Sequence, residues 1–455
     1  KTSSSENISF VQDVFKKLQE NGHIYEKEII QFFCENDQKF LPDRFVKGTC
    51  PYCNAEDQYS DLCEKCGRVP EEIDNPHCSI CGQTPVKKST NHYFFKLKNF
   101  SEPLLEYLSN APHLQKDVKK YVENWIKEGL IDWDITRDIS WGVPIPIEGL
   151  TDKVFYGWFD NHLAYISSTL KFLNDKKIDG KTFWNEADIY HFIGKDIVYH
   201  HYLFLPAMRL GINNEFKLPD YIPTRGHLTL EGKKISKSRN WYIGLKDFLE
   251  KFPADYLRFY LISINPYSQD DLNFDWEQFS TKINSELIGN LGNLVNRALG
   301  FTTKAFDGVV PEPESFDEKD SESEKKIKSL ADDVGKLMQE NHLDRALKQL
   351  MEFSAHFNQY FQHKEPWKKG PGTNACIFLS VNAVRSIAIC LHSFLPKSSQ
   401  KIWSQLGLEG NVSDISWNEM SELKLKAGHK IGTVEPIFSK VESSDIEKEQ
   451  SKLGN

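Results

Sequence analysis

The sequence predicts an α/β protein that carries a metal-binding insertion near its start and an all-helical domain toward its end. Seven of the nine cysteines lie within residues 34 to 81. Short apolar runs, which are strand candidates, alternate with helical stretches between residues 130 and 265, a pattern typical of α/β proteins. From about residue 275 to 405, the pattern of apolar residues is helical throughout.

Length and composition are those of a globular protein with several domains. A chain of 455 residues, 39% of them hydrophobic, has room for about two to four domains. The net charge of −9 excludes a uniformly basic nucleic-acid binder but allows a local basic face. We find no signal peptide and no apolar run as long as a membrane span, and therefore expect a cytoplasmic protein without a membrane partner.

The first cysteine group has the spacing of a closed metal site. Cys50 and Cys53 form one C-x-x-C pair, and Cys63 and Cys66 form another. Each C-x-x-C turn directs two thiolates at one ion, so two turns complete a tetrahedral structural Zn²⁺ site. Free thiols are the alternative, and disulfides are disfavoured because the chain shows no secretory signal.

A third C-x-x-C pair, Cys78 and Cys81, needs two further ligands. Cys34 and Asp37 offer a C-x-x-D pair in the same region. We therefore predict a second structural zinc held by these four residues. In the alternative, Asp37 is a surface acid and the second site is empty.

Several elements are predicted from local patterns. Residues 154–159 and 188–193 are strand candidates, and residues 198–210 are a helix candidate. Farther along, the sequence predicts helices over 284–299, 324–361 and 375–394, with a break at Asn341-His342, and an acidic linker over 307–323.

The most informative motif is Lys234-Ile235-Ser236-Lys237-Ser238, which we call the KISKS loop. Its cluster of lysines and serines suits a pyrophosphate leaving group. Ammonium groups offset the developing negative charge, and hydroxyls and backbone amides donate to phosphate oxygens. For the pentapeptide alone, the alternative is a solvated basic turn, because many surface loops are rich in Lys and Ser.

Several runs of the sequence resemble methionyl-tRNA synthetases of class I, in the order that this family uses. The KISKS loop is similar to the KMSKS signature, with Ile235 in place of Met. The other matching runs are FLPDRFVKGTCPYC at 40–53, WDITRD at 133–138 and YHFIGKDI at 190–197. The C-x-x-C pair Cys78 and Cys81 with its C-x-x-D, and WGVP at 141–144, are similar to the archaeal and eukaryotic branch with two zinc knuckles.

The resemblance covers residues 1 to about 440 and implies a fold class. That class is a partial Rossmann-like class I synthetase core with a zinc-binding connective insertion and a C-terminal all-α anticodon-binding bundle. The implied domains are the end of the first catalytic half at 1–30, the connective domain at 31–100, the second catalytic half at 101–265, the helical domain at 266–435 and a polar tail at 436–455.

The implied function is that of a methionine-tRNA ligase. The methionine carboxylate attacks the α-phosphate of ATP, bound with Mg²⁺, and the adenylate is then transferred to the 3′-terminal ribose of tRNA(Met). The resemblance leaves the oligomeric state open.

The resemblance places ATP at Gly194, Asp196, Lys234 and Lys237. Gly194 stands at a strand end, where a backbone can approach adenosine closely. Asp196 can accept from a ribose hydroxyl or from an α-ammonium group. Lys237 is the candidate for the transition-state cation, with Lys234 and Ser238 in support.

Arg137 completes the predicted catalytic set. It could contact the substrate carboxylate, a phosphate or the acceptor end of the tRNA. In the alternative, Arg137 forms a structural ion pair with Asp134 or Asp138.

The resemblance implies an amino-acid pocket that contains Trp158, Tyr165, His201 and Asp196. An indole, a phenol and an imidazole can surround a thioether and donate weakly to its sulfur. The sequence departs from the usual W-x-D-A-P-I-G-Y of the family, because Asn161, His162, Leu163 and Ala164 replace A-P-I-G. His200 and Leu205 also stand where the family usually has aromatic residues. These changes predict a larger or more polar pocket. A histidine metal cluster is the remaining alternative for this region.

Anticodon reading is assigned by resemblance to Asn293, Arg297 and Trp367. Asn293 and Arg297 lie four residues apart and share one helical face. Trp367 follows Pro366, which should end the preceding helix and leave the indole exposed between lysines. Aromatic stacking and Asn/Arg edge contacts read unpaired bases, whereas a packed surface tryptophan is the alternative.

Two other functions compete with the ligase. The HIGH motif of the family is not found in these residues, and the chain starts at Lys1 inside an amphipathic segment, so we expect a fragment, a processed chain or a trimmed sequence. A catalytically inactive synthetase-like paralogue that binds tRNA or a protein partner is the second hypothesis. A zinc-dependent nucleic-acid adaptor is the third.

Overall fold

The computed structural model describes residues 1–60, 63, 65–66, 70, 72–237 and 239–454, except for the side chain of Asp43. Ser238, a predicted catalytic residue, lies outside these described residues. By contacts the chain divides into two units, Lys1–Thr224 and Arg225–Asn455. The contacts place the KISKS loop in the second unit, although the predicted catalytic half extends to residue 265. The reason is that strand Leu228–Leu230, which leads into the loop, pairs in parallel with Leu272–Phe274.

A long antiparallel ribbon organises the first unit. Strand Ile24–Cys34 pairs with Val86–Phe95, with Ile24 opposite Phe95 and Phe33 opposite Val86. Lys39–Phe40 pairs with the first strand and Trp133–Asp134 with the second, which makes a four-stranded sheet. The cysteine-rich segment is therefore the connection at one end of the ribbon.

The remaining elements of the first unit are short strands and helices. The strands are Val46–Thr49, Gln58–Tyr59, Asp74–Cys78, Thr136–Arg137, Val154–Phe155, Ile193–Gly194 and, reaching the second unit, Thr224–Arg225. The α-helices are Ser5–Glu20, Ser101–Asn110, Lys116–Glu128, Gly157–Asp175, Gly180–Glu186 and Leu205–Gly211. His200–Phe204 is a π-helix, and Asp43–Phe45, Leu97–Phe100 and Lys195–Ile197 are 3₁₀ turns.

The helix Ser5–Glu20 shows how sequence sets local structure in this unit. The Ser4 side chain accepts a hydrogen bond from the Asn7 amide and caps the helix. Val11, Phe15 and Leu18 are each fully buried, at the spacing of one helical face. Phe15 packs edge-on against Phe155 with ring centroids 5.0 Å apart, which anchors the helix in the core.

Two strand predictions in this unit were too long. Of residues 154–159, only Val154–Phe155 is a strand, and Gly157 already begins the helix Gly157–Asp175. Aromatic residues favour strands in isolation, but burial of Phe159, Leu163 and Ile166 follows the helical period. In residues 188–193, regular pairing is limited to Ile193, with a single parallel bridge from Tyr190 to Tyr221.

The second unit is a small sheet followed by a helical bundle. Its strands are Leu228–Leu230, Lys233–Lys234 and Leu272–Phe274. Its α-helices are Leu245–Lys251, Ala254–Ser263, Trp276–Lys282, Asn293–Phe306, Glu318–Gln339, Leu343–Lys364, Thr373–His392, Pro396–Gln405 and Ser443–Gln450. Ile283–Gly292 is a π-helix, and Pro366–Lys368, Val412–Asp414 and Trp417–Ser421 are 3₁₀ turns. The predicted break at Asn341-His342 is confirmed, since Asn341 has a φ of 62° between two helices.

Three expectations about the second unit were wrong in part. The linker predicted over 307–323 ends earlier, because Asp317 and Asp320 form a capping box that starts the helix Glu318–Gln339. The predicted polar tail contains the helix Ser443–Gln450, whose Ile446 is buried. Thr373–His392 is long and apolar enough to cross a membrane, contrary to the sequence analysis, but 94% of its apolar stretch is buried, as in a core helix.

Candidate functional site

The first cysteine group has the geometry of a metal site. The four predicted ligand atoms of Cys50, Cys53, Cys63 and Cys66 all lie within 4.8 Å of one another. The Sγ atoms of Cys50 and Cys66 are 3.8 Å apart, and those of Cys53 and Cys63 are 3.6 Å apart. Four thiols converging on one point are the donor set of a closed structural zinc site, so the residues fit the predicted ion.

The second group also assembles as predicted. Asp37 Oδ2 lies 3.2 Å from the Sγ atom of Cys34 and 3.2 Å from that of Cys78. The Sγ atoms of Cys34 and Cys81 are 3.4 Å apart. Asp37 is therefore not a detached surface acid, and three thiols with one carboxylate fit a second zinc.

Arg137 faces a cavity of about 640 Å³ in the first unit. Its guanidinium lies over the ring of Tyr156, 3.8 Å from the centroid. It also pairs with Asp134, since Nη1 lies 3.3 Å from Asp134 Oδ2. The ion pair with Asp134, which was the structural alternative, is thus present, and the same side chain also faces a cavity; a ligand-binding role for Arg137 stays a prediction.

Behind Arg137 lies a buried network of charges that we call the His92 network: His92, Asp134, Asp138 and Lys153, with Thr90. His92 has no exposed surface, and its ring nitrogens lie 2.8 Å from Asp134 Oδ2 and 2.7 Å from Asp138 Oδ2. Lys153 donates to Thr90 Oγ1 at 2.7 Å and also contacts Asp138.

The His92 network favours the protonated form of its histidine, because both ring nitrogens face a carboxylate oxygen. Burial opposes protonation, but hydrogen bonds and charges from Asp134 and Asp138 outweigh it and raise the pKa of His92. Burial likewise disfavours the Asp138 carboxylate, but hydrogen bonds from His92 and Lys153 outweigh it and lower the pKa of Asp138. Arg137 pairs with Asp134 and also faces the cavity, so its guanidinium links the network to the cavity.

The residues predicted for the amino-acid pocket lie close together. Tyr165 Oη is 3.2 Å from His201 Nε2, while His201 Nδ1 is 3.0 Å from the Ile197 carbonyl. His201 therefore carries its proton on Nδ1 and accepts at Nε2. Trp158 stacks on His200, with ring centroids 4.3 Å apart.

Two of the residues that depart from the family pattern belong to the same aromatic cluster. His162 lies 5.1 Å from His200 and 5.3 Å from His201 by ring centroids, and both of its buried ring nitrogens lack a hydrogen-bond partner among the residues that the structure describes. Burial lowers the pKa of His200 to about 4 and that of His191 to about 3. These imidazoles are therefore neutral at pH 7.

A metal site among these histidines is not supported. Within the described part of the chain, the groups whose ligand atoms converge to within 4.8 Å are the two cysteine groups. The histidines contact one another through ring faces and edges instead.

Gly194 and Asp196 form a compact turn at the end of a strand. The Ile193 amide donates to the Pro223 carbonyl at 3.0 Å, and Gly194 caps the 3₁₀ turn Lys195–Ile197. A Cβ atom on Gly194 would lie 2.5 Å from Asp196 Oδ1, so a larger residue at this position would displace the carboxylate.

The KISKS loop in the second unit is a hairpin with exposed lysines. Lys233–Lys234 pairs with Leu228–Leu230, and Ser236 exchanges two 2.9 Å backbone hydrogen bonds with Trp241. Lys234 and Lys237 are both exposed. The far side of the loop is held by the C-terminal segment, because the Gly454 amide donates to the Asn240 carbonyl at 2.9 Å.

The three predicted anticodon residues lie on one surface of the helical bundle. Asn293 Nδ2 donates to Asn358 Oδ1 at 2.9 Å, and Arg297 Nη2 donates to Gln362 Oε1 at 3.0 Å. Trp367 is 42% exposed, and its ring centroid lies 5.9 Å from the Arg297 guanidinium. Arg297 and Trp367 line one cavity of about 850 Å³.

Comparisons with known proteins agree with this arrangement. Residues 1–299 match the family model described as tRNA synthetases class I (M), and residues 310–455 match the anticodon binding domain of methionyl tRNA ligase. The chain belongs to the methionyl-tRNA synthetase family of class I. The predicted family and fold class are thereby confirmed.

The family relatives are longer than this chain. A methionine–tRNA ligase of Methanopyrus kandleri is 42% identical over 98% of the chain and 67% of its own length. That of Pyrococcus furiosus is 41% identical over 96% of the chain and 62% of its own length. The fold is also that of the Mycobacterium tuberculosis methionyl-tRNA synthetase bound by methionyl-adenylate, with a TM-score of 0.76 and 22% sequence identity. The match covers 96% of this chain and 82% of the chain of that structure.

The sequence analysis missed His92 and Lys153, because neither belongs to a motif of the family that it used. A signal for His92 exists in the strand Val86–Phe95, where Thr90 and His92 are buried and their neighbours at 89 and 91 are exposed. Two polar residues on the inward face of a strand require buried partners. The catalytic and binding roles of the predicted site residues stay predictions.

Proposed function

We propose that this protein is a methionine-tRNA ligase that activates methionine with ATP and transfers it to tRNA(Met). The observation that carries this proposal is sequence similarity: relatives named methionine–tRNA ligase align with nearly the whole chain. Eight of them are 38% to 42% identical over 96% to 100% of it.

The first step joins methionine to AMP. A carboxylate oxygen of methionine attacks the α-phosphorus of ATP, which is bound with Mg²⁺, and the bond to the β-phosphate breaks. Lys237 and Lys234 are exposed cations that can offset the charge of the departing pyrophosphate. Arg137, backed by the His92 network, offers a cation for a carboxylate or a phosphate.

The second step moves the methionyl group to tRNA. A hydroxyl of the 3′-terminal ribose attacks the carbonyl carbon of the adenylate, its proton is lost, and AMP leaves. Asn293, Arg297 and Trp367 offer the stacking and edge contacts that select the anticodon.

The amino-acid pocket supports methionine through uncharged contacts. Tyr165, His201 and Trp158 surround the site with aromatic rings, and His162 offers unpaired ring nitrogens. Neutral imidazoles avoid repelling the α-ammonium group, and an N–H of His162 can donate weakly to a thioether sulfur.

Methionine-dependent ATP–pyrophosphate exchange tests the proposal. The full-length protein is assayed with each of the proteinogenic amino acids in turn, and we expect exchange with methionine well above that with leucine or isoleucine. Absent exchange with retained tRNA binding would favour the inactive paralogue. Exchange that prefers another amino acid would assign the changed pocket to that substrate.

Two structural zinc ions per chain are part of the proposal. When bound, each would cross-link its knuckle, and neither cysteine group lies among the substrate residues. We expect metal analysis to give two zinc ions in the wild type and one in Asp37→Ala. Asp57→Ala is the matched control, because Asp57 pairs with Lys47 at 2.9 Å in the same region. One zinc in the wild type, unchanged in Asp37→Ala, would contradict the second site.

A further inference from the structure

Lys364 is the last residue of the helix Leu343–Lys364, and its side chain is turned into the protein. The side chain is 7% exposed, and its ammonium lies 2.6 Å from Asp317 Oδ2 and 2.6 Å from Asp320 Oδ1. Removing a lysine from solvent costs free energy unless its charge is paired, and a lysine at a helix end usually extends into water. The two ion pairs therefore hold the end of this helix in one position.

The two carboxylates are themselves fixed at the start of the neighbouring helix Glu318–Gln339. Asp317 and Asp320 form its capping box, in which each side chain accepts a hydrogen bond from the backbone amide of the other. Asp320 also accepts from the Tyr360 hydroxyl at 2.6 Å, and Tyr360 lies four residues before Lys364 on the same helical face. These four side chains, which we call the Lys364 cluster, join the end of one helix to the start of another.

Electrostatics keep the Lys364 cluster ionised. A hydrogen bond from the Lys364 ammonium lowers the pKa of Asp317 to about 2. Burial opposes the charged form of Lys364, but hydrogen bonds and charges from Asp317 and Asp320 outweigh it and raise the pKa of Lys364. The ion pairs are therefore formed at pH 7. One cation faces two carboxylates, and the positive end of the helix dipole at Asp317 offsets part of the remaining charge.

The segment 365–372 follows Lys364 and carries the tryptophan predicted to read the anticodon. Glu365 has a φ of 43° and ends the helix, and Pro366–Lys368 is a 3₁₀ turn. The chain returns to the cluster at Gly372, which has a φ of 80°, and a Cβ atom there would lie 3.3 Å from Lys364 Nζ. The segment is thus held beside Lys364 at both of its ends.

The other side of the same helical turn faces the predicted anticodon surface. The Arg297 guanidinium lies 4.9 Å from the ring centroid of Phe361, and the rings of Phe361 and Trp367 have centroids 6.4 Å apart. Tyr360 and Phe361 are adjacent, so they point about 100° apart around the helix. One therefore contacts Asp320 while the other contacts the residues predicted to read the anticodon.

We propose that Lys364 is a positioning residue for anticodon recognition: its ion pairs with Asp317 and Asp320 hold the segment 365–372 so that Trp367 can stack on an anticodon base. The inference rests on the proposed ligase function and gives a role to ion pairs that are not apparent from the sequence. Ordering a mobile segment costs free energy when it binds, and a segment that is already fixed avoids that cost. The indole of Trp367 is 42% exposed and is available to a base.

The test measures anticodon discrimination. Binding of the full-length protein to a fluorescent tRNA(Met) transcript is compared with binding to the same transcript with all three anticodon bases replaced. We expect Lys364→Met to weaken binding of the native transcript about 10-fold, the effect of one lost base stack, and to leave binding of the altered transcript unchanged. Lys364→Arg, which keeps the charge, should retain most of the discrimination.

A double-mutant cycle separates positioning from a direct contact with the RNA. If Lys364 acts through Trp367, Lys364→Met should cause no further loss in a Trp367→Ala background. Lys348→Met is the matched control in the same helix, because Lys348 is 75% exposed and lies 3.7 Å from Glu352, and it should change binding of neither transcript.

Asp317→Asn tests the Lys364 cluster without removing the buried cation. Asparagine caps a helix as well as aspartate does, so the helix Glu318–Gln339 should still form. Asp317 is 61% exposed, and loss of its ion pair should reduce the preference for the native transcript about threefold. Circular dichroism of each variant at the assay temperature checks that it is folded.

Two results would overturn the inference. One is an equal effect, or no effect, of Lys364→Met on the two transcripts. The other is a pair of additive losses in the double variant, which would indicate that Lys364 contacts the RNA itself. Methionine-dependent exchange by the wild type would leave the ligase function standing in either case. A wild type that binds the two transcripts equally would contradict the anticodon reading on which the proposed function and the inference both depend.

Discussion

Lys237→Ala lowers the rate of methionine-dependent ATP–pyrophosphate exchange about 100-fold, if Lys237 offsets charge on the departing pyrophosphate. Loss of a single preorganised group that stabilises transition-state charge typically costs a factor of this size. The loss should appear in kcat with little change in KM for ATP, because the charge that Lys237 contacts develops only in the transition state.

The matched control is Lys233→Ala in the same hairpin. Lys233 is exposed like Lys237, but its ammonium lies over the Trp241 ring, 4.2 Å from the centroid. Its removal should change the rate by less than about threefold, a difference of less than 1 kcal/mol. Equal losses in both variants would indicate a general effect of positive charge on the loop, and full activity of Lys237→Ala would remove Lys237 from the reaction.

His92→Ala destabilises the first unit by about 3–5 kcal/mol, the cost of breaking a buried ion pair and leaving its carboxylates uncompensated. The three other charged groups of the His92 network remain in place, so Asp134 and Asp138 lose the cation that lies between them. In thermal unfolding followed by circular dichroism, we expect Tm to fall by about 10 °C.

The contribution of His92 to the free energy of unfolding depends on pH, because the pKa of His92 is raised in the folded state. A pKa that is higher in the folded state gives stability that is fully present below the unfolded value of about 6.5 and is lost as pH rises through the folded value. The pKa of Asp138 is lowered in the folded state, so this carboxylate stabilises the fold above its unfolded pKa of about 3.9. That stability is lost in acid, as pH falls through the folded pKa. The gap between wild type and His92→Ala should therefore be largest between about pH 4 and 6.5 and should narrow in alkali.

His227→Ala is the control for the stability prediction. His227 Nδ1 lies 3.9 Å from Asp271 Oδ1, and about half of each side chain is exposed. Such surface pairs contribute about 0–1 kcal/mol, so Tm should hardly change. A similar loss in both variants, or a gap that widens with rising pH, would contradict the account of His92 as a buried cation.

The parts of the site that could be predicted from sequence are those that local spacing determines. Two C-x-x-C pairs set the first cysteine group, and Asp37 was found because it lies three residues from Cys34, as the ligands of each C-x-x-C pair do. The shared face of Asn293 and Arg297 follows from their separation in one helix.

The parts that could not be predicted depend on contacts between distant segments. His92 meets Asp134 and Asp138 across more than 40 residues of chain, with separations of 42 and 46. The strand predicted over 154–159 was cut short because buried Phe159 and Leu163 favour a helix once the core is formed. The exposure of Trp141, whose side chain is 80% uncovered, could not be predicted either, since exposure cannot be read from an isolated tryptophan.

The contact between the C-terminal segment and the KISKS loop bears on how the protein should be handled. Asn240 makes two hydrogen bonds to this segment. Its backbone carbonyl accepts from the Gly454 amide at 2.9 Å, and its side-chain Nδ2 donates to the Lys452 carbonyl at 3.2 Å. Trimming the chain before Lys452 for crystallisation would remove both contacts and release one side of the hairpin. Kinetic measurements on the KISKS loop should therefore use a protein that retains residues 452–454.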